Sequence, residues 1–255
     1  MTNIINIIKK VSPIFDFIFS PFTLLSTLWL LIIRKLGIRR MSISNIIFNE
    51  VGLLPIHNHF YQPLINPNKH SLKPLNQERI IGGLEFNIDK QIEILNSFDY
   101  VDELLQFPIS KLNENDFFYH NGAFESGDAE YLYNVIRNFK PSKIIEIGSG
   151  FSTKMMINAI NENLSRNSKD LCHLTCIEPF LFNQLDGLPI DLIKEKVESL
   201  DLKIFSELNE NDILFIDSSH IIRPQGDVLF EIQQILPQLN PGVSIHFHDI
   251  FTPRD

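Results

Sequence analysis

From residue 143 onward, short apolar runs alternate with segments of helical period, and no other feature limits the fold of this chain as strongly. "KIIEIG" reads as a strand, "STKMMINAINENL" as a helix with one apolar face, and "HLTCIEP" as a second strand. "IDLIKEKVES" is expected to hold a third strand; "DILFIDSSH" is a strand ending in an acid, "QGDVLFEIQQILPQL" a helix and "GVSIHFHDI" another strand. Strands joined by helices pair in parallel through right-handed crossovers, and a parallel sheet needs helices over both faces. The expected class is therefore α/β, with a mainly parallel, doubly wound sheet. Ligands of such sheets bind beyond the carboxyl ends of the strands, near the point where strand order reverses. Glu146, Glu178, Asp217, His248 and Asp249 all fall at those ends.

The amino-terminal 40 residues differ in kind. Residues 14–33, "IFDFIFSPFTLLSTLWLLII", carry one charge in twenty positions. The uncharged part, residues 17–33, would span about 26 Å as a helix, slightly short of a hydrocarbon core of about 30 Å. Pro21 and the hydroxyl residues weaken it further. The basic run "RKLGIRR" follows where a signal peptide would have a small-residue cleavage site, so cleavage is not expected. The segment is either a membrane anchor or a hydrophobic helix packed on the body of the chain or on a partner subunit; membrane association is preferred. Four basic residues after the run, against two before it, would keep the bulk of the chain in the cytoplasm, at the inner membrane's cytoplasmic face.

Residues 41–114 read as an irregular and helical lead-in, and residues 115–255 as the ligand-binding domain. "HNHFYQPLINPNKHSLKPLN" is an extended loop, with His57 and His59 as surface residues and His120 likewise in a later loop. "NIDKQIEILNSFDYVDELLQF" places Ile88, Ile92, Ile94, Leu95 and Phe98 at helical spacing. "SGDAEYLYNVIRNF" is a second helix, with Ser126 as N-cap and Ala129, Leu132, Val135, Ile136 and Phe139 as its buried stripe. Phe117, Phe118, Tyr119 and Phe124 are expected in the core. Six Lys/Arg against Asp16 make residues 1–40 net +5, so the other 215 carry −14 of the total −9. So acidic a body excludes nucleic acid as the expected partner. Cys172 and Cys176 fall in one strand region and are expected as buried, reduced thiols.

The turn after the first strand, Glu146-Ile-Gly148-Ser-Gly150, selects among ligands. It lacks the spacing of a P-loop. A dinucleotide turn needs a third glycine where Thr153 stands. S-adenosylmethionine (SAM) has no phosphate, and a carboxylate ending the second strand suits its ribose. Glu178, 28 residues after Gly150, is so placed. SAM is therefore preferred over NAD.

On these residues the chain resembles class I, Rossmann-like SAM-dependent methyltransferases, in a bacterial branch found among cell-surface glycan and secondary-metabolite genes. The resemblance runs through "IIEIGSGFST", "CIEPF", "DILFIDSSH" and "LPQLNPGVSIHFHDIFTPRD", with "IIGGLEFNIDKQIEILNSF" and "YHNGAFESGDAEYLY" as the lead-in. It implies that Glu146, Gly148, Ser149, Gly150, Ser152 and Thr153 surround the amino-acid end of SAM. Glu178 would hold the ribose, and Asp217 would stand near the methyl group. Similar sugar and macrolide O-methyltransferases use acids to hold Mg²⁺ against vicinal hydroxyls. By that likeness Asp217, Asp249 and His248 would ligate Mg²⁺ or another divalent metal, and His220 would be the general base. His246, mid-strand, is expected in the core.

The family's third glycine is Ser152 here. The chain also stops after its fifth strand, where the family's sheet normally continues, so the domain is expected to be truncated or its edge covered by another segment. The expected function is O-methylation of a hydroxylated small molecule or glycan, with a lipid-linked glycan as one acceptor. A homo-oligomer is also entertained. The alternatives are an NAD-dependent oxidoreductase or epimerase, against which the absence of a Tyr-x-x-x-Lys pair counts, and a non-catalytic scaffold.

Overall fold

The computed structural model describes residues 2–52, 74, 76–78, 82–180 and 185–250. The extended loop read from residues 57–76, with His57 and His59, lies almost wholly outside them. The chain forms two units, Met1–Ile80 with Pro253–Asp255, and Ile81–Thr252.

In the first unit, α1 is one continuous helix, Thr2–Leu36, with Pro13 and Pro21 inside it. The weakening expected at Pro21 is offset locally. A proline at 21 has no N–H to give the Phe17 carbonyl, and the Ser20 hydroxyl donates to that carbonyl at 2.9 Å instead. The stretch Val11–Leu36 is long and apolar enough to cross a membrane, and only 6% of its most apolar window is buried. It measures about 39 Å along the axis. A short turn, Ile38–Arg40, leads to α2, Ser42–Val51.

The second unit opens with α3 (Ile88–Asn96), α4 (Val101–Leu104) and α5 (Asp128–Phe139). The single helical run read from residues 87–107 is thus two helices. Its expected stripe is only partly packed: Ile88, Ile92 and Leu95 are exposed, while Ile94 and Phe98 are half-buried. On α5, Ala129, Leu132, Val135 and Ile136 are buried as expected, with Phe139 at the margin. Ser126 is not the cap. Gly127 holds that position at φ 92°, a left-handed conformation that favours glycine, and its N–H donates to the Glu130 carboxylate at 2.9 Å.

Then come β1 (Lys143–Ile147), α6 (Phe151–Arg166), β2 (His173–Ile177), β3 (Asp191–Ile193), α7 (Lys203–Ser206) and β4 (Ile213–Ile216). Next is α8 (Asp227–Phe230), which runs on through a π-helical turn (Glu231–Ile235) and a 3₁₀ turn (Leu236–Gln238) before β5 (Ser244–Phe247). The helix read from residues 225–239 therefore changes pitch twice. Among the described residues all four pairings are parallel, in the order β3-β2-β1-β4-β5, with β3 and β5 at the edges. The order reverses at β1, and the switch point lies between β1 and β4.

Period-two alternation splits the sheet's side chains between two cores. Ile144, Cys176, Ile213 and Phe215 join Met155, Met156, Leu132 and Ile136 on the α5/α6 side. Ile145, Ile147, Ile177, Leu214 and Ile216 join Val197, Phe205, Leu208 and Ile235 on the other. Phe117, Phe118 and Phe124 are buried and Tyr119 half-buried, whereas His120 is exposed. Cys176 is buried, but Cys172 sits just before β2 and is half-buried; both thiols are free.

Candidate functional site

The alternation that buries Ile144 also points Glu146 toward the α5/α6 layer, where α6 begins. Glu146 is fully buried and accepts hydrogen bonds from Ser152 Oγ at 2.6 Å, Thr153 Oγ1 at 2.5 Å and Cys176 Sγ at 3.2 Å. Thr153 Oγ1 in turn accepts the Gly150 N–H at 2.9 Å, satisfying one of the unpaired donors that open α6. This explains the residue at the third-glycine position: Thr153 caps a helix and ties it to β1. Glu146 and Ser152, expected at the amino-acid end of a cofactor, form a sealed joint under the turn.

Burial pushes the Glu146 carboxyl up from 4.5 to about 7, against the pull of its hydroxyl and thiol donors toward the ionised form. The unfolded chain ionises this group near 4.5, so its contribution to stability is full below that pH and is lost as pH rises through about 7. Urea unfolding in detergent should show the wild-type chain weaker at pH 8 than at pH 5.5, by up to about 2 kcal/mol from this group. In Glu146→Gln that slope should flatten; an unchanged slope would show that Glu146 does not titrate in this window.

Above the joint, Gly148 adopts φ 82°, and a Cβ there would overlap the Asp217 carbonyl. Three hydrogen bonds hold the strand ends level: Gly148 N–H to the Ile177 carbonyl at 3.0 Å, Asp217 N–H to Ile147 at 2.8 Å, and His248 N–H to Ile216 at 2.9 Å. Over these ends lies a cavity of about 380 Å³, lined among others by Gly148, Glu178, Phe180, Val197, Asp217, Ser218 and Asp227. Of the expected cofactor residues, Gly148, Glu178 and Asp217 reach this lining, whereas Ser149, Gly150, Ser152 and Thr153 do not. Glu178 is 6% exposed; its oxygens accept the Phe180 N–H at 2.7 Å and the Ser149 N–H at 3.3 Å. Each oxygen keeps a lone pair for a ligand hydroxyl.

The loop after β4 explains why Asp217 and His220 are separated by two serines. Ser219 is held by Asp227, which accepts its N–H at 2.9 Å and its hydroxyl at 2.7 Å. Ser218 Oγ donates at 3.1 Å to Glu231, which the π-helical turn buries and whose carboxyl burial pushes up to about 7. With both serines clamped, His220 takes a left-handed backbone (φ 56°) and its Nε2 stands 3.2 Å from Asp217 Oδ1. Asp249 is likewise left-handed (φ 58°), 3.7 Å from His220 Nε2 through Oδ2 and 3.6 Å from His248 Nε2 through Oδ1. Non-glycine residues held at positive φ concentrate at functional sites. The sequence reading did not single out Ser218, Ser219, Asp227 or Glu231; a helix beginning at "GD" after "DSSH" was their only local signal. Asp227→Asn should release Ser219 and weaken ligand binding in the cavity about tenfold while leaving the far-ultraviolet circular dichroism unchanged. Unaltered affinity would show that the loop needs no such clamp.

Asp217, His248 and Asp249 each offer a donor atom, and the three atoms lie within 4.8 Å of one another. That span is close to an octahedral shell about 4.2 Å across, so two carboxylates and an imidazole fit one divalent ion. His248 is 7% exposed, and its ring lies 5.1 Å from that of Phe124. His246 stacks 4.6 Å from Phe215; burial and the neighbouring His248 push it down to about 4, so it is neutral at physiological pH and belongs to the core edge.

Three comparisons bear on the chain. A protein of Archaeoglobus fulgidus described as uncharacterized is 27% identical over an aligned stretch of 176 positions that covers 64% of this chain and 78% of its own length. The crystal structure of a candidate protein-L-isoaspartate O-methyltransferase (beta-aspartate methyltransferase) from Plasmodium falciparum, in complex with S-adenosyl-L-homocysteine, superposes with a TM-score of 0.37. It shares 15% identity and covers 64% of this chain and 82% of that chain. Residues 145–250, which carry nearly all of β1 through β5 with the cavity above them, match the family model of a methyltransferase domain.

Proposed function

We propose that the chain is a SAM-dependent O-methyltransferase acting on a hydroxylated small molecule or glycan, lipid-linked in the form that best suits the apolar α1. The observation that carries this reading is the cavity itself. It sits at the switch point, floored by a glycine that lets backbone approach the ligand, with one buried carboxylate for ribose hydroxyls and no phosphate-binding turn. The methyltransferase-domain match over the same residues supports it.

Methyl transfer from a sulfonium is an in-line displacement, so the chain must align the acceptor oxygen and take its proton. Asp217 accepts the His220 Nε2–H, which leaves Nδ1 as the basic nitrogen for the acceptor hydroxyl. Asp217, His248 and Asp249 would hold a divalent ion, which when bound would supply positive charge at the acceptor oxygen. The helix α1 anchors the chain in a membrane; the Ser20 hydroxyl at Phe17 fits that reading, because an unpaired carbonyl in hydrocarbon costs several kcal/mol.

Calorimetric titration of SAM and of NAD⁺ into the full chain in detergent tests the cofactor. Saturable SAM binding without an NAD⁺ response is the expected result, and NAD⁺ binding in its place would overturn it. Transfer of labelled methyl to a panel of hydroxylated acceptors, with and without EDTA, tests the reaction and the ion separately.

A further inference from the structure

The connection between α1 and α2 is short and tied. Gly37 N–H donates to the Ile33 carbonyl at 2.9 Å, Arg40 N–H to Gly37 at 3.0 Å, Met41 N–H to Ile38 at 3.0 Å and Asn45 N–H to Met41 at 2.9 Å. Gly37 is left-handed at φ 86°, which lets the chain turn sharply. Five residues, 37–41, separate the two helices, and they are coiled rather than extended. If α1 occupies a bilayer, α2 therefore begins at headgroup depth, since that zone is only about 5–8 Å thick on each side.

What α2 presents at that depth is apolar. Ile43, Ile46 and Ile47 lie at helical spacing i, i+3, i+4 and are 77%, 61% and 53% exposed. No residue of α2 is buried. Asn45 stands on the opposite face, beside the half-buried Phe48, and Asn49 flanks the stripe. Just before α2 the sequence is Arg34-Lys35-Leu-Gly-Ile-Arg39-Arg40, four basic residues in seven.

From these observations we infer that α2 is an interfacial helix, lying in the plane of an anionic bilayer with Ile43, Ile46 and Ile47 against the acyl boundary and the preceding basic run on lipid phosphates. The inference rests on the anchoring role given to α1. The chemistries match: a helix with one apolar face lies at the acyl boundary, and clustered Lys and Arg beside a spanning helix attract anionic headgroups. Guanidinium groups bind phosphate oxygens through paired donors, which suits the exposed Arg40. Glu50 lies on the same face in the last turn of α2, so contact with the acyl boundary is confined to the first two turns.

Trp29 is the chain's single tryptophan and lies in α1, which gives the test an internal control. The full chain is reconstituted in vesicles containing phosphatidylglycerol, with phospholipids brominated either near the headgroup or deep in the acyl chain. Quenching of the native Trp29 reports whether α1 is in the bilayer at all. In a Trp29→Phe background, Ile47→Trp and Asn45→Trp then place a reporter on each face of α2. The expected result is that the Ile47→Trp reporter loses about half or more of its emission to the shallow bromines and less to the deep ones, while the Asn45→Trp reporter stays unquenched. An unquenched reporter at position 47 beside quenched Trp29 would overturn the inference while leaving the anchor intact, and would assign the face to another part of the chain or to a second copy. Unquenched Trp29 would remove the anchor and the inference together. Equal quenching at position 47 in purely zwitterionic vesicles would overturn the anionic-lipid assignment, since the basic run would then contribute nothing.

Discussion

Gly148→Ala should lose both stability and cofactor binding. Two independent causes act at that position. The backbone is left-handed at φ 82°, where an L side chain is strained, and the new methyl would occupy the space of the Asp217 carbonyl. The carbonyl cannot yield alone, because the Asp217 N–H is fixed to Ile147 at 2.8 Å and the Gly148 N–H to Ile177 at 3.0 Å. Relief therefore requires β1 and β4 to separate at their carboxyl ends. We expect a loss of roughly 4 kcal/mol, which for a unit of this size lowers the thermal midpoint by about 10 °C. Calorimetric SAM affinity should fall by at least about a hundredfold, since the floor of the cavity moves. Gly150→Ala is the contrasting variant: Gly150 has extended φ and open space around its would-be Cβ, so its stability should change by less than about 1 kcal/mol. Equal effects at the two glycines would refute the close-approach explanation.

Asp217→Asn should separate chemistry from binding. The side chain is about one-third exposed and faces His220, while its backbone belongs to the sheet. An amide in its place can present its NH₂ to His220 Nε2 and so reverse the tautomer, leaving Nδ1 protonated and unable to accept. Methyl transfer should fall about a thousandfold, equivalent to about 4 kcal/mol of barrier, with SAM affinity held within about threefold. His220→Gln should fall similarly, and the double variant little further, because the two act as a unit. Parallel losses of turnover and SAM affinity would instead make Asp217 a structural wall of the cavity. A non-catalytic scaffold would show neither loss.

Much of the fold was legible because parallel strands buried on both faces leave a strong trace. "ILFI" is wholly apolar and "KIIEI" carries three isoleucines, so the charges within and beside them stand out. Strand existence and order of appearance followed from that trace. Boundaries did not always follow: the run at residues 87–107 broke into α3 and α4, and "QGDVLFEIQQILPQL" passed through a π-helical turn. Helical period in a sequence does not record a change of pitch. For α5, sequence pattern favoured Ser126 as the cap, but a left-handed Gly127 with Glu130 reaching back outcompeted it.

The site divides along similar lines. That Glu178, Asp217, His248 and Asp249 would stand at strand ends was set by the sequence alone, because a residue that closes an apolar strand has little choice of place. Which of them would meet was decided by tertiary structure. Register levels the ends of β1, β2, β4 and β5, and only that alignment brings Asp217, His248 and Asp249 within one ion's reach. The turn "EIGSG" announced a ligand site, yet its acid is turned away from the cavity into a joint with Ser152, Thr153 and Cys176. The reason is the strand's period of two: Ile144 and Glu146 share a face, and packing of α6 against that face outweighs any preference of a carboxylate for solvent. Local pattern thus determined which strands form and which residues close them. The direction in which those residues point, and the loop clamp through Asp227 and Glu231, arise only when distant segments are packed together.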